Sequence, residues 1–329
     1  MAALLDRLGF FEATAAVMAG RRGRDRAVLG LWILAALTTA VLNLDTTVVL
    51  LTPLYLRLAR QAKVDPVPLV LIPLLLASLA SSVLPVSNLT TLIVAERFDL
   101  SAGDVLSHLA LPSLIASTVG WRLYRRRFPT RLAGRAATEV DRHALTVGGV
   151  IVVVLLIGFV IGPSFGIEAW MVALAVDVVL IGLVRVIPWR DVPLSTAAGV
   201  AALAALVAVV VPSDALTDVL GHSSPFALMV LSIGAGAVAN TVNNLPALLI
   251  GLDGVHDMSW GMWAWLLGVN AAAVLLPIGA LANLLWRRVM RAEGVRLGLR
   301  DYVRLTIPIA LPAFAAAVLS LAAERAVAR

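Results

Sequence analysis

The sequence contains no cysteine, which excludes disulfides, thiolate metal sites and a cysteine nucleophile. Charge is scarce as well: only 14% of the 329 residues are Asp, Glu, Lys or Arg, against 60% that are hydrophobic. With a mean hydropathy of +0.96, that balance rules out a soluble domain of this size. The first twenty residues carry acids at Asp6 and Glu12 and lack the basic head and apolar core of a cleavable signal. Insertion is therefore expected to use internal spans. The four histidines, His108, His143, His222 and His256, are scattered, and the sequence has no His-Glu-x-x-His site, nucleophile elbow or paired catalytic acids. Neither an enzyme, nor a metal site, nor a cofactor is expected.

What is present is an all-α polytopic membrane protein, expected in the cell membrane as a multi-pass chain. A net charge of +6 and a pI near 10.8 would point to nucleic acid in a soluble protein. Here the arginines fall in short loops between apolar runs, where they set topology instead.

Residues 1–20 are apolar but short and read as an interfacial helix, followed by Arg21, Arg22, Arg24 and Arg26. The apolar run 27–55 is interrupted by Asn43-Leu44-Asp45-Thr46-Thr47 and Pro53. Both its flanks are basic, with Arg26 on one side and Arg57, Arg60 and Lys63 on the other. A straight span cannot place both ends in the cytoplasm, whereas a re-entrant hairpin with its tip at 43–47 can. A span opening at Pro66 meets Pro85-Val86-Ser87-Asn88-Leu89-Thr90-Thr91, which predicts two half-helices with an unwound middle; the bland alternative is a kink capped by hydroxyls. Residues 103–121 return, with His108 read as a packing residue near the outer end. Arg122, Arg125, Arg126, Arg127, Arg131, Arg135 and Arg142 then mark the cytoplasm.

Plain spans are predicted near 144–162, 167–187 and 194–211. Asp177 falls in the middle of the second, where an isolated acid is either functional or a tie to a neighbouring span. After an amphipathic piece at 213–221, the run 226–252 is broken by Asn240-Thr241-Val242-Asn243-Asn244-Leu245-Pro246, with Asp214, Asp218, Asp253 and Asp257 outside it. Acidic flanks predict a second hairpin entering from outside; the competing reading makes the asparagines helix–helix glue. Residues 258–287 cross inward through Pro277-Ile278-Gly279-Ala280-Leu281-Ala282-Asn283, and 305–321 return outward.

The same parts thus occur twice with opposite sidedness, as in the inverted repeats of secondary transporters. The expected organisation is a first repeat core at 1–125, a basic cytoplasmic loop at 126–143, scaffold spans at 144–211 and a second repeat core at 212–329. Four polar breaks supply a midmembrane substrate and ion site: Asn43, Asp45, Thr46 and Thr47; Ser87, Asn88, Thr90 and Thr91; Asn240, Thr241, Asn243 and Asn244; Gly279 and Asn283. None contains an arginine or lysine. Asp45 and Asp177 are the candidates for proton coupling. At a hairpin tip, desolvation makes the protonation of Asp45 sensitive to access from each side.

At these breaks the chain resembles the arsenite/antimonite permeases of the ArsB type, in the ion transporter superfamily that also includes sodium-coupled dicarboxylate carriers. The resemblance rests on Leu51-Thr52-Pro53, Val86-Ser87-Asn88-Leu89, Asn243-Asn244-Leu245-Pro246 and the run from Pro277 through Asn283 to Leu284-Leu285-Trp286. It implies an elevator-type carrier exporting arsenite, antimonite or a similar small oxyanion against inward proton flow. The alternative is a dicarboxylate or other organic anion driven by H+ or Na+. It also implies a homodimer and leaves room for a soluble ATPase partner, since the chain has no nucleotide-binding loop of its own. Nucleic acid is not an expected partner. The family usually places three scaffold spans before its first interfacial helix, and here they are expected from an earlier start, a second chain or an altered scaffold. Many members also place Asn and Asp adjacently at the first tip, where this chain reads Asn43-Leu44-Asp45.

Overall fold

In a hydrocarbon layer every backbone N–H and C=O must be satisfied within the protein, which favours helix wherever the chain is apolar. The computed structural model describes residues 1–19, 24–129, 140–167, 169–187 and 216–327, with isolated positions 198, 202 and 205. Among them regular structure is helical throughout. The reading of residues 194–211 as a span, most of the loop at 126–143 and the basic residues Arg21 and Arg22 lie outside the described residues.

The N-terminal stretch forms α1 (Ala2–Arg7) and α2 (Phe10–Ala19), hinged at Gly9. Then come α3 (Arg24–Val41), α4 (Leu44–Ala62), α5 (Pro66–Leu79), α6 (Leu89–Arg97) and α7 (Ala102–Arg127). Helices α8 (Arg142–Ile161) and α9 (Ala169–Val184) follow, and the second half contains α10 (Thr217–Leu220), α11 (Pro225–Val242), α12 (Asn244–Leu252), α13 (Trp260–Ala271), α14 (Leu281–Ala292) and α15 (Leu299–Val327). Among the described residues, α7, α8, α11 and α15 are long and apolar enough to cross a membrane. By contrast α5, with 14 residues, rises only about 21 Å and stops short of a ~30 Å hydrocarbon core.

Residues 27–56 and 226–252 are not continuous rods. Each is cut at a single asparagine with positive φ, Asn43 (147°) and Asn243 (88°), a conformation that asparagine tolerates better than most residues. Each caps the next helix through its side chain: Asn43 Oδ1 accepts from the Thr46 amide at 2.8 Å, and Asn243 Oδ1 from the Leu245 amide at 3.3 Å. The first interruption is therefore narrower than the 43–47 stretch read from sequence, because the cap lets α4 start at once and puts Thr46 and Thr47 in its first turn.

The two broken spans are interrupted over residues 80–88 and 272–280, a few residues earlier than the polar motifs mark. In both, a leucine before a proline is extended, Leu84 (φ −129°, ψ 154°) and Leu276 (φ −123°, ψ 154°), as the proline ring demands of the residue it follows. The stretches 84–93 and 276–285 align without a gap, Leu-Pro-Val-Ser-Asn-Leu-Thr-Thr-Leu-Ile on Leu-Pro-Ile-Gly-Ala-Leu-Ala-Asn-Leu-Leu.

Packing repeats as well. Helix α3 lies on α5 and α11 on α13; α4 lies on α5 and α12 on α13; α5 meets α7 and α13 meets α15. Contacts between halves are also reciprocal: α4 packs on α14 while α12 packs on α6, α5 meets α15 while α13 meets α7, and α5 touches α13. The longest helices, α7 and α15, pair with each other. Cross-ties fix this core, with Trp286 Nε1 donating to the Val70 carbonyl at 2.8 Å and Tyr124 Oη to that of Pro68 at 2.8 Å. Beside it, α2 bridges α3 to α8, and α8 pairs with α9. Val150, Val153, Val154 and Ile157 of α8 and Leu174, Val178, Val179 and Leu183 of α9 are exposed, a surface suited to lipid.

Candidate functional site

The cut between α11 and α12 and the second break are sewn together. Asn240 Nδ2 donates to the Gly236 and Ala272 carbonyls at 2.8 Å each, and its Oδ1 accepts from the Leu276 amide at 2.8 Å. Asn243 Nδ2 donates to the Ile278 carbonyl at 2.9 Å, and the Asn244 amide to that of Gly279 at 2.8 Å. Side-chain amides thus replace helical partners for the unwound 272–280 segment, so it survives without water. Gly279 is required for this approach: a Cβ there would lie 2.1 Å from the Ala273 carbonyl oxygen and 2.7 Å from Asn240 Oδ1. Asn283, fully buried, donates to the Ala273 and Leu276 carbonyls at 2.8 and 3.0 Å, while its Oδ1 has no partner. Thr241 turns back to the Ala237 carbonyl of its own helix.

The first break satisfies itself instead. Buried Ser87 accepts from the Leu84 amide at 3.2 Å, with the carbonyls of Ser81 (2.6 Å) and Leu84 (2.5 Å) in reach of its single proton. Asn88 Nδ2 donates to Ser81 Oγ at 3.1 Å, and its Oδ1 accepts from the Thr90 amide at 3.2 Å, capping α6.

Asn270 of α13 joins the two broken spans. Its Oδ1 accepts from Thr90 Oγ1 at 2.5 Å, and its Nδ2 donates to Thr91 Oγ1 at 3.0 Å and to Ser82 Oγ at 3.2 Å. Sequence reasoning left Asn270, Ser81 and Ser82 outside the site. The gapless match of 84–93 with 276–285 is a signal that could have drawn attention to the spans around it.

At the first tip, Thr39 Oγ1 donates to Thr47 Oγ1 at 3.0 Å, and Thr47 Oγ1 to the Asn43 carbonyl at 2.9 Å. One carboxylate oxygen of Asp45 is buried without a partner, as is the hydroxyl of Thr52. Helix α3 packs on the Pro85–Ser87 turn, which brings this arm to the first break. Asp177 stands elsewhere: α9 packs against α1 and α8, and its carboxylate meets the Met1 amino group. His108 stacks on Trp263 at 4.5 Å between ring centroids, a packing contact.

The assembled breaks offer amides, hydroxyls and carbonyls, one acid, and no cationic side chain at the tips or unwound stretches. Among the described residues no group of three or more His, Asp or Glu side chains converges as a metal site would require. Groups of this kind suit a small polar solute able both to donate and to accept hydrogen bonds.

Comparison with known proteins agrees with a transport role. A family model described as "Citrate transporter" (CitMHS) matches residues 1–279. The chain is 26% identical over 358 residues to an "Arsenical pump membrane protein" of Yersinia enterocolitica, covering 97% of this chain and 82% of that one. It is 27% identical over 359 residues to another of the same name from Escherichia coli, with the same coverage. An "Uncharacterized transporter" of Mycobacterium tuberculosis is 25% identical over 338 residues, covering 92% and 78%. The chain is thus a multi-pass membrane transporter belonging to the citrate transporter family, similar along nearly its whole length to arsenical pump membrane proteins.

Proposed function

We propose that the chain is a secondary carrier that exports arsenite, antimonite or a similar small oxyanion in exchange for protons. Residues 1–125 and 212–329 act in this reading as inverted repeats whose hairpins enter from opposite sides, and residues 144–211 serve as scaffold. The basic flank of α4 at Arg57, Arg60 and Lys63 and the acidic surroundings of α11 and α12 at Asp218, Asp253 and Asp257 support that sidedness. The reciprocal packing of the halves supports the repeat.

One observation carries the substrate class: the breaks are built from amides and hydroxyls, contain no arginine or lysine, and leave Asn283 Oδ1 and one Asp45 carboxylate oxygen without a partner. Arsenite is largely an uncharged trihydroxide at neutral pH and needs partners of that kind rather than a guanidinium clamp. Asn43, Asp45, Thr46, Thr47, Ser87, Asn88, Thr90, Thr91, Asn240, Thr241, Asn243, Asn244, Gly279 and Asn283 form the site in this reading. Asp45 carries the coupling proton, because an uncompensated carboxylate at that depth is costly while ionised and much less so once protonated.

The family description favours a second reading, an organic anion such as citrate driven by H+ or Na+. Backbone amides at the N-termini of α6 and α14 would then receive its carboxylates. Cells lacking their own arsenite exporter separate the two. Expression of the chain should lower arsenite accumulation severalfold and leave labelled citrate unchanged; the reverse pattern would transfer the assignment to organic anions.

A further inference from the structure

A cavity of about 410 Å³ opens beside the first break. Its lining includes the extended Leu84 and, from the turn that follows it, Pro85 and Val86. The end of α6 and the turn after it add Glu96 and Asp99, and Phe159 of α8 lines it too. The cavity therefore lies where the repeat core faces the α8–α9 pair. Among the described residues two carboxylates line it and no Arg, Lys or His does; Arg97, between them in sequence, is not part of the lining.

Its sidedness follows from α7. That helix begins at Ala102, in the cavity lining, and ends at Arg125, Arg126 and Arg127, 26 residues later, a rise of about 39 Å that carries it across a bilayer. With the arginine end in the cytoplasm, the cavity faces outward.

We propose that this cavity is the external vestibule of the carrier and that Glu96 and Asp99 make it a charge filter, which passes neutral and cationic solutes toward the first break and holds back anions. In a water-filled cleft the Coulomb effect of two carboxylates on a singly charged solute is modest but exponentiates into rate, and salt screens it. The inference rests on the carrier reading above only for what passes through. It adds that a polyanion is disfavoured on the outer side, whatever the inner site would accept.

The absence of cysteine supplies the test. Val86→Cys introduces a single thiol beside the break, and Leu100→Cys places one elsewhere in the same lining. Cationic and anionic methanethiosulfonates of matched size are added outside right-side-out vesicles in low salt. The cationic reagent should react faster by about tenfold beyond its ratio on a free thiol, and the excess should collapse at high salt and in the Glu96→Gln/Asp99→Asn background. Protection of both thiols from both reagents, or a ratio that survives removal of the two acids, would overturn the proposal. Because neither reagent is a substrate, a failure to move arsenite would sink the functional assignment and leave this result intact.

Discussion

The two halves of the molecule carry the same helix break and support it in different ways. In the second half the support comes from outside the break: Asn240, Asn243 and the Asn244 amide reach over from the hairpin tip and satisfy residues 272–280. In the first half it comes from within, through Ser81, Ser87 and Asn88. Tip and break are thus one hydrogen-bonded unit in the second half, whereas in the first the tip is free to keep a carboxylate, Asp45, without a partner. Under the proposed function, the two halves would share a backbone arrangement while the second serves rigidity and the first chemistry.

The largest effect expected from breaking this contrast is at the matched pair Gly279 and Ser87. Gly279→Ala puts a methyl group 2.1 Å from a backbone oxygen, and should cost about 3 kcal/mol and abolish transport. Ser87→Ala, at the equivalent position, leaves the Leu84 amide unpaired and should cost about 1–2 kcal/mol. Thermal unfolding in detergent reads the difference.

Next comes Asn240→Ala, which strands the Leu276 amide and the Ala272 carbonyl together and should cost about 2–3 kcal/mol. Asn43→Gly removes the side-chain cap while keeping the positive φ, and should cost no more than about 1 kcal/mol. Equal losses at the two tips would erase the proposed asymmetry.

The smallest effect is at the Arg60–Glu293 ion pair, where the end of α4 meets the end of α14 at 2.9 Å. Both side chains are substantially exposed, 54% and 37%, so Glu293→Gln should change stability by less than about 0.5 kcal/mol. Transport rates in matched vesicles should stay within twofold of the parent.

Much of this was legible in the sequence. Prolines at 85 and 277 inside apolar runs marked both broken spans, because a proline amide cannot donate and its ring extends the residue before it. The polar stretches 43–47 and 240–246 marked both cuts, which the structure narrows to Leu42–Asn43 and to Asn243. The exact extent of the breaks was not legible, since Ala80 to Ser82 and Ala272 to Leu275 look compatible with helix; in the first the Ser87 side chain takes up the Ser81 carbonyl, and in the second Asn240 and Tyr302 take up those of Ala272 and Val274. Asn270 was hidden for a related reason. A lone asparagine in an apolar helix reads the same whether it packs idly or, as here, ties together hydroxyls about 180 residues away. Nor could spacing reveal that Asn240 is fully engaged while Asp45 is not.

The assignment of chemistry to the first half stands most directly on Asp45. In proteoliposomes with an imposed proton gradient, the parent protein should accumulate arsenite against its concentration gradient, while Asp45→Asn should still equilibrate arsenite but concentrate it at least tenfold less. An Asp45→Asn protein that concentrates arsenite as well as the parent would contradict the account.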